Sequence, residues 1–114
     1  MSNITHVDTQ NFDDTIKNAP KPIVMDVFAT WCGPCQHMAP TYEELSVELA
    51  DSYTFTKLNI DESREIAIQL GIMSVPTFLF FNKGELIGQE IGYMNKEQLK
   101  EKIIQHLGTP GVSS

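Results

Sequence analysis

The chain has 114 residues, a formal net charge of −7 and 41% hydrophobic residues, with two cysteines and three histidines. This length suits one domain with a single core. The acidic balance disfavours nucleic acids and anionic membrane surfaces, because both attract clustered Lys and Arg. No apolar run approaches the roughly 20 residues that span a bilayer, and residues 1–6 lack the pattern of a signal peptide. One close cysteine pair is not a secreted disulfide framework, so we expect a cytoplasmic location.

The first third of the chain predicts a strand, a helix and a second strand. Residues 4–7 form a short strand candidate, and Asn11 is placed to cap a helix that runs to about Asn18. Residues 23–29 are apolar on both faces apart from Asp26. Such a run is typical of a central strand in a sheet that is covered on both sides.

A long amphipathic helix is predicted after the second cysteine, over residues 35–49. Its apolar stripe consists of Met38, Tyr42, Leu45 and Leu49. Pro40 falls inside this pattern and removes one helical hydrogen bond, which predicts a kink. Residues 53–60 then alternate between two faces and predict a strand.

The next segment predicts a short helix and a hairpin. Ser63 starts the helix, and Gly71 ends it in the position that glycine commonly takes. Residues 75–81 are rich in strand-forming side chains, residues 82–84 form a turn, and residues 85–91 return as the last strand.

Asn95 and Gln98 form a plausible capping pair at the start of the final helix. Its apolar stripe is Leu99, Ile103 and Leu107. The predicted order is therefore β-α-β-α-β-α-β-β-α, an α/β fold with a mixed five-stranded sheet and helices on both faces. We expect one domain over residues 1–107 and a flexible tail over residues 108–114.

The two cysteines stand between the apolar strand and the long helix, separated by two residues. This spacing at a helix start lets the sulfur atoms close a small disulfide ring. The N–H groups and dipole of a helix N-terminus stabilise a thiolate, which lowers the thiol pKa from about 8.5. Thiolate is the attacking species in disulfide exchange, so Cys32 is predicted to be an accessible nucleophile. Cys35 lies one turn inside the helix, where we expect it to be shielded and to act second as the resolving thiol.

Other uses of a cysteine pair fit the sequence less well. A zinc ion needs about four ligands, whereas the chain has no second cysteine pair and its histidines are scattered. Covalent haem attachment needs a histidine directly after the second cysteine, where this chain has Gln36. An inert buried pair is the remaining alternative. We therefore expect no metal site. We expect His37, two positions after Cys35, to lie on a solvated helix face, with a titrating role as the alternative.

Asp26 is the one acid in the apolar strand. A lone buried charge is costly unless it is paired or protonated, and burial raises the pKa of a carboxyl. Asp26 is therefore predicted to accept the proton of Cys35 in the second step; the alternative is an acid with hydrogen bonds and no catalytic task. Lys57, on the strand expected to neighbour Asp26, either tunes that charge or is an ordinary solvated lysine.

The five residues Trp31-Cys32-Gly33-Pro34-Cys35, placed before a helix, resemble the active-site motif of the thioredoxin family. The resemblance covers about residues 4–107. It implies the thioredoxin fold and the activity of a thiol-disulfide oxidoreductase that reduces protein disulfides through a mixed-disulfide intermediate. It also implies a monomer without a bound cofactor. Its expected partners are disulfide-containing substrate proteins and a thioredoxin reductase that uses NADPH.

The resemblance also implies residues around the dithiol. It places a cis peptide bond before Pro76, facing the cysteines, although only about 5–6% of X–Pro bonds in folded proteins are cis. The loop would offer the backbone of Val75 to an extended substrate segment, as in strand addition, and Gly92 would allow close approach of a partner. The residues expected to contact substrate are Trp31, Gly33, Pro34, Met73, Ser74, Val75, Pro76 and Gly92. An apolar rim around Cys32 is expected from Trp31, Met73, Val75, Ile91 and Tyr93.

The chain departs from the commonest bacterial pattern at several positions, which bear on partner preference and redox tuning rather than on the reaction. Phe28 stands where tryptophan is usual, and Gln36, His37, Met73 and Ser74 also differ. Two alternative functions remain open at this point. One is a redox-independent binding subunit on the same scaffold. The other is an oxidase or isomerase of the same fold, although the dipeptide Gly33-Pro34 between the cysteines resembles that of the reductants with this fold.

Overall fold

A computed structural model describes residues 3–110 of the chain. Within that range the strands and helices follow the predicted order. The elements are β1 (Ile4–Val7), α1 (Phe12–Asn18), β2 (Ile23–Phe28), α2 (Gly33–Glu48), β3 (Thr54–Asn59), α3 (Arg64–Gln69), β4 (Thr77–Asn82), β5 (Glu85–Ile91) and α4 (Lys96–Leu107). In this described part of the chain, no helix is long and apolar enough to cross a membrane.

The strands form one mixed sheet in the order β1-β3-β2-β4-β5. Strands β1, β3 and β2 run parallel, whereas β4 runs antiparallel to β2 and β5 antiparallel to β4. The predicted central strand is confirmed, since β2 is flanked on both sides and buried at every position except the half-buried Phe28. The predicted α/β fold with a mixed five-stranded sheet is confirmed as well.

Helices cover both faces of the sheet and divide the core into two main clusters. Alternate residues of a strand point to opposite faces, so Val24 packs under α2 and α4 while Met25 packs under α1 and α3. The predicted stripe of α2 lies entirely in the first cluster. By the same alternation, Asp26 lies on the α2 face of the sheet, below the helix that carries the cysteines.

Pro40 lies within α2, as predicted, and the helix continues past it to Glu48. The kink stays a prediction. At the end of the chain, the capping pair of α4 is confirmed: the Asn95 side chain accepts from the Gln98 N–H at 2.9 Å, and the Gln98 side chain accepts from the Asn95 N–H at 3.0 Å.

The predicted cap of α1 is wrong in its chemistry. Asn11 occupies the capping position, but its side chain makes no hydrogen bond to the helix. Its Oδ1 instead accepts from the Asp8 N–H at 2.8 Å, and the Asp8 carboxylate accepts in return from the Asn11 N–H at 2.9 Å. This reciprocal loop closure competes with capping for the same short side chain.

Positive φ angles occur where turns were predicted. Lys83 (φ 52°) and Gly84 (φ 82°) form the two-residue hairpin between β4 and β5. The predicted tail begins directly after α4, where the Gly108 carbonyl accepts a hydrogen bond from the Tyr53 hydroxyl. Residues 111–114 of that predicted tail lie outside the described residues.

Candidate active site

The turn between β2 and α2 delivers both cysteines to the carboxyl end of the central strand. Cys32 is the N-cap residue of α2, and Cys35 lies in its first turn. Pro34 between them occupies a first-turn position, where its missing N–H removes no helical hydrogen bond. The two Cα atoms are 5.3 Å apart and the sulfur atoms are joined in a disulfide.

The backbone around Cys32 provides a local electrostatic field. The Cys35 N–H donates a hydrogen bond to the Cys32 Sγ at 3.2 Å. This sulfur therefore takes one of the unpaired N–H groups of the helix N-terminus, where the dipole favours negative charge. A thiolate at Cys32 in the reduced protein would be stabilised by the same contact.

Exposure does not distinguish the two cysteines in the disulfide form. Each is only 5% exposed, so the expected accessible Cys32 is not seen here. In this form both cysteines belong to one buried cluster with Ala29, and the half-buried Val75 packs against that cluster. The observed difference between them is positional: Cys32 caps the helix, and Cys35 lies within its first turn.

Asp26 is buried, with 2% of its surface exposed. Its Oδ1 has no hydrogen-bond partner among the described residues. Burial raises the pKa of Asp26 from 3.8 to about 7, and the charge of Lys57 acts in the opposite direction. The carboxyl therefore changes its protonation state near neutral pH. The upward direction of this pKa shift is the one that the sequence predicted.

Lys57 is the register partner of Asp26 across β2 and β3. Its Nζ lies 5.1 Å from the centroid of the Phe28 ring and 6.0 Å from that of Tyr42. A cavity of about 170 Å³ is lined by Lys57, Cys35, Phe28, Ala29, Thr30, Gln36 and Ala39. The lysine and the second cysteine thus border the same cavity, which gives the region below α2 a connection to solvent.

The loop before β4 faces the disulfide. The Val75–Pro76 peptide bond is cis, in agreement with the expectation. The Val75 carbonyl oxygen lies 3.7 Å from the Cys32 Sγ, and the Pro76 carbonyl accepts from the Gly92 N–H at 2.9 Å. This bond ties the end of β5 to the loop, so Val75, Pro76 and Gly92 lie together beside Cys32.

The other expected contact residues lie on the surface around this point. Met73 is 94% exposed, and Ser74 is exposed while its carbonyl accepts from the Thr77 hydroxyl at 2.7 Å. The exposed residues of the expected set are Trp31, Gly33, Pro34, Met73, Ser74, Ile91 and Tyr93. Val75 is half-buried, and the other four residues of the expected rim are exposed.

Sequence reasoning missed Asp61, which follows β3 at the same edge of the sheet. Its Oδ2 accepts a hydrogen bond from the Trp31 Nε1 at 2.9 Å and so orients the indole next to Cys32. The available signal was positional: the carboxyl ends of the parallel strands β2 and β3 meet at this edge. Among residues 3–110, no group of three or more His, Cys, Asp or Glu side chains could hold a metal ion.

Comparisons with known proteins point to one family. The thioredoxin family model matches residues 3–105. A thioredoxin from Haemophilus influenzae is 35% identical over 107 residues, covering 94% of this chain and 100% of the relative. One from Alicyclobacillus acidocaldarius is 46% identical over 93 residues, covering 82% and 88%. One from Bacillus subtilis is 40% identical over 85 residues, covering 75% and 82%.

Proposed function

The chain belongs to the thioredoxin family and is a thiol-disulfide oxidoreductase that reduces protein disulfides. From that premise we propose which step of the reaction each residue performs. The observation that carries the proposal is the Cys32–Cys35 disulfide at the N-terminus of α2, with the Cys35 N–H directed at the Cys32 sulfur. The alternatives of a binding subunit or an oxidase or isomerase are not favoured by the family match.

In the first step, the reduced Cys32 thiolate attacks one sulfur of a target disulfide. A new S–S bond forms between Cys32 and that sulfur, and the second target sulfur leaves as a thiolate. The helix N-terminus and the N–H of Cys35 stabilise the attacking thiolate. Cys32 is therefore the nucleophile.

In the second step, Cys35 loses its proton and attacks the Cys32 sulfur of the mixed disulfide. The bond to the target breaks, the target leaves with both sulfurs reduced, and the Cys32–Cys35 disulfide remains. Asp26 serves as the proton acceptor, since burial raises the pKa of Asp26 to about 7, close to the working pH. Lys57 tunes this charge from the neighbouring strand and borders the cavity at Cys35.

Substrate binds as an extended segment along the loop at Val75 and Pro76. The Val75 carbonyl beside the Cys32 sulfur is available as a backbone acceptor, which fits recognition by strand addition. Gly92, at φ 101°, presents backbone without a side chain next to that loop. Trp31, Gly33, Pro34, Met73 and Ser74 supply the remaining contacts around the disulfide.

The reaction leaves the protein oxidised, so a reductant must restore the dithiol. We assign this role to a thioredoxin reductase that uses NADPH, with no cofactor bound to the chain itself. The substrates are disulfide-containing proteins. The working unit is a monomeric domain over residues 1–107. We place it in the cytoplasm, because one close cysteine pair is not the disulfide framework of a secreted protein.

Trapping of the mixed disulfide tests the role of each cysteine. Reduced Cys35→Ser protein, mixed with a disulfide-containing protein such as insulin, should accumulate a covalent adduct on non-reducing gels, because attack proceeds and resolution cannot. Cys32→Ser protein is the matched control and should form no adduct and reduce no substrate. If Cys35→Ser forms no adduct while Cys32→Ser does, the two roles are reversed. If neither variant forms one, the proposed mechanism is wrong.

A further inference from the structure

The cavity of about 170 Å³ at the first turns of α2 has an exposed end and a buried end. Thr30 and Gln36 are exposed and form its entrance. Ala29 and Cys35 are buried, with 0% and 5% of their surfaces exposed, and form its floor. A route from solvent to the second cysteine therefore passes between Thr30 and Gln36.

A hydrogen bond joins the two residues across this entrance. The Gln36 Nε2 donates to the Thr30 carbonyl oxygen. The backbone that carries them is held as well, because the Gln36 N–H donates to the Cys32 carbonyl at 3.1 Å and the Cys32 N–H donates to the Ala29 carbonyl at 3.2 Å. The Gln36 side chain is thus restrained across the entrance, whereas an exposed glutamine without a partner samples many rotamers.

Any small electrophile that passes the entrance meets Cys35 directly. A thiolate reacts with whichever electrophile reaches it, including oxidants and alkylating reagents as well as disulfides. The cavity is several times larger than the roughly 30 Å³ that one water molecule takes in the liquid, so molecules of that scale fit inside. An open entrance would let such reagents consume the thiol before it attacks the mixed disulfide.

We infer that Gln36 closes this entrance and so reserves the Cys35 thiol for its attack on Cys32. The inference rests on the proposed function, because only a resolving thiol has to be kept unreacted until the mixed disulfide has formed. Attack on Cys32 does not use the entrance, since Cys32 is the N-cap residue of the helix whose first turn holds Cys35. Gln36 acts through the Thr30 carbonyl and is a positioning residue.

Alkylation of Cys35 measures access to the cavity. In a Cys32→Ser background, Cys35 is the only thiol of the full chain. Iodoacetamide converts its thiolate to a thioether, with a new C–S bond and release of iodide, and mass spectrometry follows the modified fraction. Rates over a range of pH separate the pKa of the thiol from the limiting rate of the thiolate, and this limiting rate reports access.

Three variants in this background assign the barrier to Gln36. Gln36→Met keeps the length of the side chain but has no donor, so the limiting rate should rise roughly three- to tenfold, the change in open population for one lost hydrogen bond. Gln36→Lys restores a donor and should return the rate to that of the background. Gln69→Met is the same substitution at an exposed position of α3 and should change nothing.

The outcomes separate this inference from the function on which it rests. Equal limiting rates for Gln36→Met and the background would overturn the inference, as would a Gln36→Lys or Gln69→Met rate as high as that of Gln36→Met. The reductase function would then still stand on the trapping of the mixed disulfide. A Cys35 that reacts in the background as fast as the thiol of a short unstructured peptide would overturn the inference by showing no barrier at all. If Cys35→Ser protein traps no adduct, the proposed function fails whatever the alkylation rates are.

Discussion

Asp26 and Lys57 are register partners on the adjacent parallel strands β2 and β3, yet no ion pair joins them within the described part of the chain. The Lys57 Nζ lies instead over the Phe28 ring, at 5.1 Å. Its charge lowers the pKa of Asp26 only partly, and burial remains the larger influence on that carboxyl. Because no ion pair joins these two groups, the pKa of Asp26 stays near neutral pH. Two measurements on the Asp26→Asn variant test this.

The first measurement is the pH dependence of mixed-disulfide resolution in Asp26→Asn. At pH 8 the proposed role of the wild-type carboxylate is to accept the Cys35 proton, so the variant should resolve the adduct more slowly, by roughly 100-fold for the loss of a general base. Near pH 5 the wild-type carboxyl is protonated, and the two rates should converge. Rapid-quench kinetics on a preformed adduct give both rates, with Asp13→Asn on the surface of α1 as the control. An equal rate for variant and wild type at every pH would remove Asp26 from the mechanism.

The second measurement is the stability of the disulfide form of Asp26→Asn against pH. The folded carboxyl has a pKa of about 7 against 3.8 for the ordinary group, so the folded state binds the extra proton. The stability of the wild type therefore falls as pH rises from about 4 to 7, by up to about 4 kcal/mol. Asp26→Asn lacks this loss, so urea unfolding should show it gaining on the wild type at pH 8 and matching it more closely at pH 4. A constant difference across pH would mean that the carboxyl is not held neutral by burial.

Gly88→Ala should destabilise the packing of α4 on β5. An added Cβ would lie 2.4 Å from the His106 Nδ1, and the ring has little room to move. It stacks on Phe80 with centroids 4.4 Å apart, and its Nε2 lies 2.8 Å from a carboxylate oxygen of Glu90. We expect a loss of about 1–3 kcal/mol in the free energy of unfolding, as for overpacking elsewhere.

A double-mutant cycle separates this clash from a general intolerance of alanine at position 88. In a His106→Ala background the same Gly88→Ala change should cost much less, because the atoms that it meets are gone. Chemical unfolding of the four proteins gives the coupling free energy. Additive effects would show that the histidine ring yields freely and that the close approach has no energetic meaning.

The two helix caps should respond differently to alanine. Asn95→Ala removes a cap that is paired with Gln98 in both directions and should cost about 1 kcal/mol. Ser63 occupies the same position before α3, but its buried hydroxyl has no hydrogen-bond partner among the described residues. Ser63→Ala should therefore be neutral or stabilising, because it removes an unsatisfied buried group. Equal losses for both variants in thermal unfolding would contradict this distinction.

Patterns that repeat along the chain predicted the fold well. The apolar stripe that ends at Leu49 predicts a helix, and the run around Asp26, which is apolar on both faces, predicts a central strand. Both follow because the burial of side chains must match the period of the element. Caps were less certain: both Asn11 and Asn95 precede a predicted helix, but only Asn95, which has Gln98 three residues later, caps its helix. The side chain of Asn11 had a nearer partner in Asp8, and such local competition is decided by geometry.

The candidate site shows the same division. The cysteines and Asp26 were predictable because each is unusual for its position along the chain. Asp61 and the His37–Tyr93 contact were not, because each joins segments far apart in sequence through side-chain geometry. The burial of Cys32 was also not predicted, since Cys32 is only 5% exposed in the disulfide form.

Leu99 and Ile103 of α4 complete the core beneath α2. Because α4 is the last element of the chain, this core stays incomplete while the chain is being synthesised. The cysteine pair leaves the ribosome early, but its supporting helix rests on an unfinished surface until the last element emerges. In the nascent chain, both cysteines are therefore present before the core that supports α2 is complete.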